Sequence, residues 1–235
     1  MFSRYTLLDL ETISAADCEQ WLQPIEQDKR FTDPAKIADD LAKKKAALID
    51  SAALDADLCQ IVAVGLQQHT EEEPRAFLIP EEGTEREALD LIWRHVNATT
   101  PFVGYGLTWF DAGVLVRRSQ LLDVRVPSAI YKQGKYRHDL IVELADYLTL
   151  NGMIEQKKGR TLDYHCQRLG IQVADGVSGK DVGELWRSGQ HEAVRAHLLA
   201  DMQRLSALAV RLGVIDRPPV AIGPTDEDRI MAGTF

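Results

Sequence analysis

Short apolar runs and longer amphipathic runs follow one another along the chain, and each predicts a different element. Short apolar runs predict buried strands at residues 5–10, 58–66 and 75–79, of which 58–66 is rich in β-branched residues. A further short strand is predicted to start at Pro101. Helical spacing of apolar residues, or a run of strong helix formers, predicts helices at residues 33–47, 84–95, 139–150, 161–169 and 191–212, with another beginning near Asp111. Early strands and later helices indicate a mixed sheet flanked by helices, of the α/β or α+β class.

The size of the chain indicates one domain with a full core. The chain has 235 residues, of which 45% are hydrophobic and 27% charged. We expect this domain to span residues 1–215, with a helical insert at about 21–47 and an extended tail at 216–235. We expect no membrane contact, because no apolar run has membrane-spanning length. The three cysteines match neither a disulfide framework nor a zinc site, and we expect reduced thiols and a cytoplasmic location.

The acidic balance limits how the protein can bind nucleic acid. A formal net charge of -9 argues against a broadly basic surface that neutralises many phosphates. Clustered carboxylates that bind divalent cations would contribute to the same negative balance, because bound cations reverse the local sign of the charge. The charge therefore leaves a metal-dependent nuclease open.

Two acids stand at the end of the first predicted strand. Asp9 and Glu11 are two residues apart, so their side chains point to the same face of the strand. Two buried carboxylates repel each other, and a hard divalent cation relieves that repulsion by taking their oxygens as ligands. Taken alone, however, such a pair is more often a solvated strand edge.

Two later motifs add acids and a histidine. Asp111 opens a predicted helix after a glycine-bearing turn, and an N-cap role alone would explain it. His197 and Asp201 are four residues apart and share one face of the last predicted helix, where such a pair is commonly an ordinary surface contact.

The three motifs in this order resemble those of one enzyme superfamily. Asp9-x-Glu11, then Phe110-Asp111, then His197-x-x-x-Asp201 is similar to the pattern of the DEDD (DnaQ-like) 3′-5′ exonucleases, closest to the exonuclease domains of family B DNA polymerases. Residues 161–170 and 177–182 support the resemblance, which extends over nearly the whole chain. It implies a ribonuclease H-like fold of the α/β class. It also implies two divalent cations, Mg²⁺ or Mn²⁺, held by Asp9, Glu11, Asp111 and Asp201.

The resemblance further implies a reaction and a substrate. The reaction is hydrolysis of phosphodiester bonds from the 3′ end of DNA by a two-metal-ion mechanism, which releases nucleoside 5′-monophosphates. We expect single-stranded DNA as the partner, while any replication or repair partner stays open. His197 would be the general base, which we prefer to His165. Residues expected to contact the substrate are Leu10, Thr12, Tyr105 and Phe110.

Two departures from the superfamily pattern keep alternatives open. Gly106 stands where relatives carry asparagine, so a side-chain contact is lost or supplied elsewhere. His197 stands at the spacing that one branch of the superfamily uses for tyrosine, and a shift of one residue turns a helical side chain by about 100°. RNA 3′-end trimming is one alternative function, and a catalytically inactive nucleic-acid-binding domain is another.

Overall fold

A computed structural model describes residues 1–96, 100–134, 139–155, 160–174 and 176–216. Its five strands form one sheet in the order β3-β2-β1-β4-β5. In chain order they are β1 (Thr6–Ser14), β2 (Cys59–Gln68), β3 (Arg75–Leu78), β4 (Phe102–Gly104) and β5 (Ile141–Glu143). β1, β2 and β3 pair antiparallel, whereas β1 with β4 and β4 with β5 pair parallel. The sheet is therefore mixed, as the sequence predicts.

Helices cover both faces of this sheet. They are α1 (Pro34–Ser51), α2 (Glu85–His95), α3 (Asp111–Leu121), α4 (Leu144–Thr149), α5 (Leu162–Arg168), α6 (Val182–Arg187) and α7 (His191–Arg211). Leu7 of β1 packs in a core that includes α7, while Leu8 and Leu10 pack in a second core with α2 and α3. This alternation follows from the two-residue period of a strand, and it buries β1 on both sides. The α/β fold class is confirmed.

The longest helix, α7, lies close against the middle of the sheet. A Cβ atom added to Gly65 of β2 would come within 2.7 Å of Cγ of Met202 and 3.1 Å of Cδ1 of Leu198. Gly65 is paired with Asp9 in the β1–β2 ladder. The missing side chain at Gly65 thus lets α7 approach β1 at the level of its acids.

The predicted helix at residues 139–150 is wrong in its first half. Ile141–Glu143 forms strand β5, and α4 begins only at Leu144. All three strand residues are buried, and β4 offers them a free parallel edge. Pairing with β4 therefore decides the structure of these residues. A strand of three residues is too short to show its own pattern in the sequence, so the helical pattern was the one that could be read. The short helix α6 is a second element that the sequence pattern did not indicate.

The predicted helical insert is present as a helix at the edge of the domain. The predicted helix at residues 33–47 is α1, which runs on to Ser51 and has no buried side chain within those residues. Its C-terminal end is tied to β1, because Oγ of Ser14 donates to the carbonyl of Ile49 at 2.6 Å. The predicted tail lies outside the described residues from position 217 onward. Among the described helices, none combines the length and the apolar character needed to cross a membrane.

Candidate active site

Strand β1 and helix α7 bring a histidine and two acids together. Nε2 of His197 lies 3.6 Å from Oε1 of Glu11 and 3.7 Å from Oδ2 of Asp201. Ligand atoms of these three side chains all lie within 4.8 Å of one another, a spacing that suits one metal ion. His197 is 4% exposed, so its ring is shielded from solvent. Glu11 comes from one face of β1, and His197 and Asp201, four residues apart, come from one face of α7.

Asp9 and Asp111 complete the acidic cluster. Burial raises the pKa of Asp9 well above its ordinary value, and the negative charges of Asp111, Glu11 and Asp201 raise it further. Burial also raises the pKa of Asp111 to about 7, with a contribution from Glu143. Asp9 thus lies close enough to the other three predicted metal ligands to be repelled by each of them.

Arg204 is a buried residue that orients Asp201, and the sequence analysis did not single it out. Its guanidinium forms an ion pair with Oδ1 of Asp201, while Oδ2 faces His197. The same Arg204 donates to the carbonyl of Val173 at 3.2 Å, so it is held from two sides. Its signal in the sequence was its position three residues after Asp201, on the same helical face.

Glu143 is a further acid that the sequence analysis missed. Its side chain is 1% exposed and accepts hydrogen bonds from the amides of Gly106 (2.9 Å), Thr108 (3.1 Å) and Ala145 (3.0 Å). Burial raises the pKa of Glu143, and those amide hydrogen bonds oppose the rise. The carboxylate anchors the turn that leads to Asp111, in which Gly106 has φ of +83°. Glu143 was missed because strand β5, which carries it, was predicted to be helical.

The four predicted substrate-contacting residues lie in different surroundings. Leu10 packs in the core with α2 and α3, on the sheet face opposite Leu7. Oγ1 of Thr12 donates to the carbonyl of Ala53 at 2.7 Å. Phe110 is half-buried against the same core as Leu10. Tyr105 is half-buried at the start of the turn before Asp111, and its hydroxyl donates to the carbonyl of Arg160 at 2.9 Å.

The mixed five-stranded sheet with helices on both faces is a ribonuclease H-like fold, and comparisons with known proteins agree. The sequence model of a family described as "Predicted 3'-5' exonuclease related to the exonuclease domain of PolB" matches residues 51–204. The chain therefore belongs to this family, which confirms the resemblance to the family B polymerase branch of the DEDD exonucleases. The matched range includes Asp111, His197 and Asp201, and it begins after Asp9 and Glu11.

A solved structure shares the fold. The family B DNA polymerase from the hyperthermophilic archaeon Pyrobaculum calidifontis superposes with a TM-score of 0.56 at 17% sequence identity. The match covers 89% of this chain and 24% of the polymerase chain, so it corresponds to about a quarter of that protein. Among curated proteins, no sequence matches this chain.

The raised pKa of Asp111 predicts how stability depends on pH. An unfolded aspartate has a pKa of about 3.9, so the folded protein holds this proton more tightly. The stability contributed by Asp111 is therefore fully present below about pH 4 and is lost as the pH rises through about 7. In EDTA, we expect the melting temperature to fall by at least about 2–4 °C between pH 5 and 8, and added Mn²⁺ to restore it.

Calorimetry across this pH range checks the prediction. Asp111→Asn should reduce the metal-free pH dependence, and the remainder should come from Asp9, whose pKa is also raised. Asp50→Asn, at an exposed position of α1, should leave the pH dependence as in the wild type. A slope that is unchanged in Asp111→Asn would assign the effect to other groups.

Proposed function

We propose that the chain is a 3′-5′ exonuclease that hydrolyses single-stranded DNA from its 3′ end and releases nucleoside 5′-monophosphates. The observation that carries the proposal is the convergence of Asp9, Glu11, Asp111 and Asp201 from one strand and two helices, with the pKa of Asp9 raised by the other three. Without cations these charges destabilise the fold. Hard divalent cations fit such a cluster, because they prefer oxygen ligands and their positive charge offsets the repulsion between the carboxylates.

The four acids would hold two divalent cations, Mg²⁺ or Mn²⁺. When bound, the cations supply charge stabilisation for the phosphate and lower the pKa of a water molecule that they bind. Arg204 supports the arrangement by fixing Oδ1 of Asp201, which leaves Oδ2 directed towards His197. Glu143 supports it by fixing the turn in front of Asp111.

His197 is the residue best placed to accept the proton of the attacking water. Its Nε2 lies within 3.7 Å of two of the carboxylates that would hold the cations, and so close to where a cation-bound water would lie. Its buried position on the long helix α7 restricts the ring to this orientation. The tyrosine-like spacing of His197 is therefore compatible with the role of a general base.

We also propose that residues 1–215 form the exonuclease domain. The amide of Phe2 donates to the carbonyl of Val214 at 2.7 Å, and Phe2 and Ile215 form a parallel bridge. This contact joins residue 2 to the segment after α7, which supports a domain boundary at about residue 215.

A cleavage time course tests the proposed activity. Single-stranded DNA and RNA of the same sequence, labelled at the 5′ end, are incubated with Mg²⁺, Mn²⁺ or EDTA. We expect a metal-dependent ladder that shortens from the 3′ end on DNA, and nucleoside 5′-monophosphates as products. Faster shortening of the RNA would move the function to RNA 3′-end trimming. Absence of cleavage on both polymers would contradict the proposal and favour a binding domain.

A further inference from the structure

A row of aromatic rings begins in the turn in front of Asp111. The ring of Tyr105 lies 6.1 Å from that of His165, and the His165 ring lies 5.2 Å from that of Tyr164 in an edge-to-face arrangement. The guanidinium carbon of Arg160 lies 5.8 Å from the centroid of the Tyr164 ring. The row starts at the half-buried Tyr105 and ends at Tyr164, which is 38% exposed. We call these four residues the aromatic track.

Two separate contacts place the aromatic track beside the acidic cluster. The first is through Tyr105, which lies in the turn that Glu143 fixes in front of Asp111. The second is through α5, which carries His165 and Tyr164. In α5, Sγ of Cys166 lies 3.8 Å from the carbonyl of Arg204, the residue whose guanidinium is paired with Asp201. The track therefore adjoins the turn in front of Asp111, and its helix α5 contacts α7 at Arg204.

The surroundings of the track have the chemistry of a nucleic-acid surface. Exposed apolar side chains lie in the preceding segment at Tyr147, Leu150, Met153 and Ile154. Arg160 adds a cationic group to this surface, in a chain of formal net charge -9. Cationic groups bind phosphates, and exposed aromatic rings stack with unpaired bases.

We propose that the aromatic track binds the unpaired strand behind the 3′ end, with bases stacked on its rings and a phosphate at Arg160. This inference rests on the proposed exonuclease function and defines its substrate class more narrowly. Stacking requires a free base face, which a duplex does not offer, so the substrate has several unpaired nucleotides behind the scissile bond. The hydroxyl contact of Tyr105 with Arg160 couples the two ends of the track.

Binding measurements on strands of two lengths test the proposal. Dissociation constants are measured by fluorescence anisotropy in EDTA for a dinucleotide and for a strand of about ten nucleotides, a length within the range that single-strand grooves cover. We expect Tyr164→Ala to weaken binding of the longer strand from several-fold to about a hundredfold. The loss should be much smaller for the dinucleotide, so the affinity advantage of the longer strand shrinks. Tyr164→Phe should restore it, because phenylalanine keeps the ring.

The charge of Arg160 has its own signature. Arg160→Ala should weaken binding of the longer strand and reduce the slope of log affinity against log salt concentration by about 0.7, the value for one phosphate contact on a single strand. Matched controls are Tyr131→Ala and Arg125→Ala, two exposed residues that follow α3 on the opposite layer. Tyr131 is 58% exposed, more than Tyr164, so it controls for loss of an exposed ring.

The outcomes separate this inference from the proposed function. If the wild type cleaves DNA but Tyr164→Ala and Arg160→Ala bind the longer strand as tightly as the controls do, the track is wrong and the exonuclease stands. If the wild type neither cleaves nor binds any strand, both proposals fail. If it binds with the expected variant pattern but does not cleave, the track stands and the exonuclease activity fails.

Discussion

We expect Asp9→Ala to remove detectable cleavage and to leave the protein folded. Asp9 is the acid whose pKa is raised by all three other members of the cluster, so it lies where their charges act together. Loss of this carboxylate should disrupt cation binding and with it several kcal/mol of transition-state stabilisation, a fall in kcat of at least about 10³-fold. The same variant should melt at a higher temperature than the wild type in EDTA, because one of the repelling charges is gone.

The two halves of this prediction are measured separately. Cleavage is followed on labelled single-stranded DNA with Mg²⁺ or Mn²⁺, and thermal stability is followed in EDTA. Asp50→Ala, at an exposed position of α1, is the matched control and should behave as the wild type in both experiments. Cleavage by Asp9→Ala at the wild-type rate would remove Asp9 from the active site. A large fall in melting temperature would assign Asp9 a structural role instead.

The acids in regular elements could be predicted from sequence because their spacing fixes their direction. Asp9 and Glu11 share a face of β1, and His197 and Asp201 share a face of α7. Those local periods place the side chains on one face. Packing of α7 over β2 at Gly65 then brings the two faces together, a tertiary contact that no local period specifies.

Glu143 and the aromatic track could not be predicted from local spacing. Glu143 lies on a strand of three residues, which is shorter than any window in which hydrophobic period can be read. Its role depends on parallel pairing with β4, a contact that spans about forty residues of chain. The aromatic track has the same origin, because Tyr105 meets α5 only through tertiary packing. Glu143 and the aromatic track thus depend on long-range contacts, whereas the predicted metal ligands and Arg204 follow local rules.

The position of His197, at the spacing that relatives use for tyrosine, fits two chemical roles. A residue that lies within 3.7 Å of two predicted metal ligands can be a proton acceptor or a third ligand on the same ion. The two roles differ in what metal titration shows. A general base affects the rate at saturating metal, whereas a ligand affects the metal concentration needed for half-maximal activity.

We expect His197→Ala to lower kcat on single-stranded DNA by about 10²- to 10⁴-fold, as for loss of a general base. The Mn²⁺ concentration that gives half of the thermal stabilisation should stay at the wild-type value, because the carboxylates remain. His191→Ala is the matched control, since His191 begins the same helix but pairs with Glu81 at 2.5 Å, away from the cluster. A rise in the Mn²⁺ midpoint would make His197 a metal ligand, and a fall in kcat of only about twofold would place the base elsewhere. Because the rate and the metal midpoint are independent readings, the experiment assigns the chemistry of this position whichever way it falls.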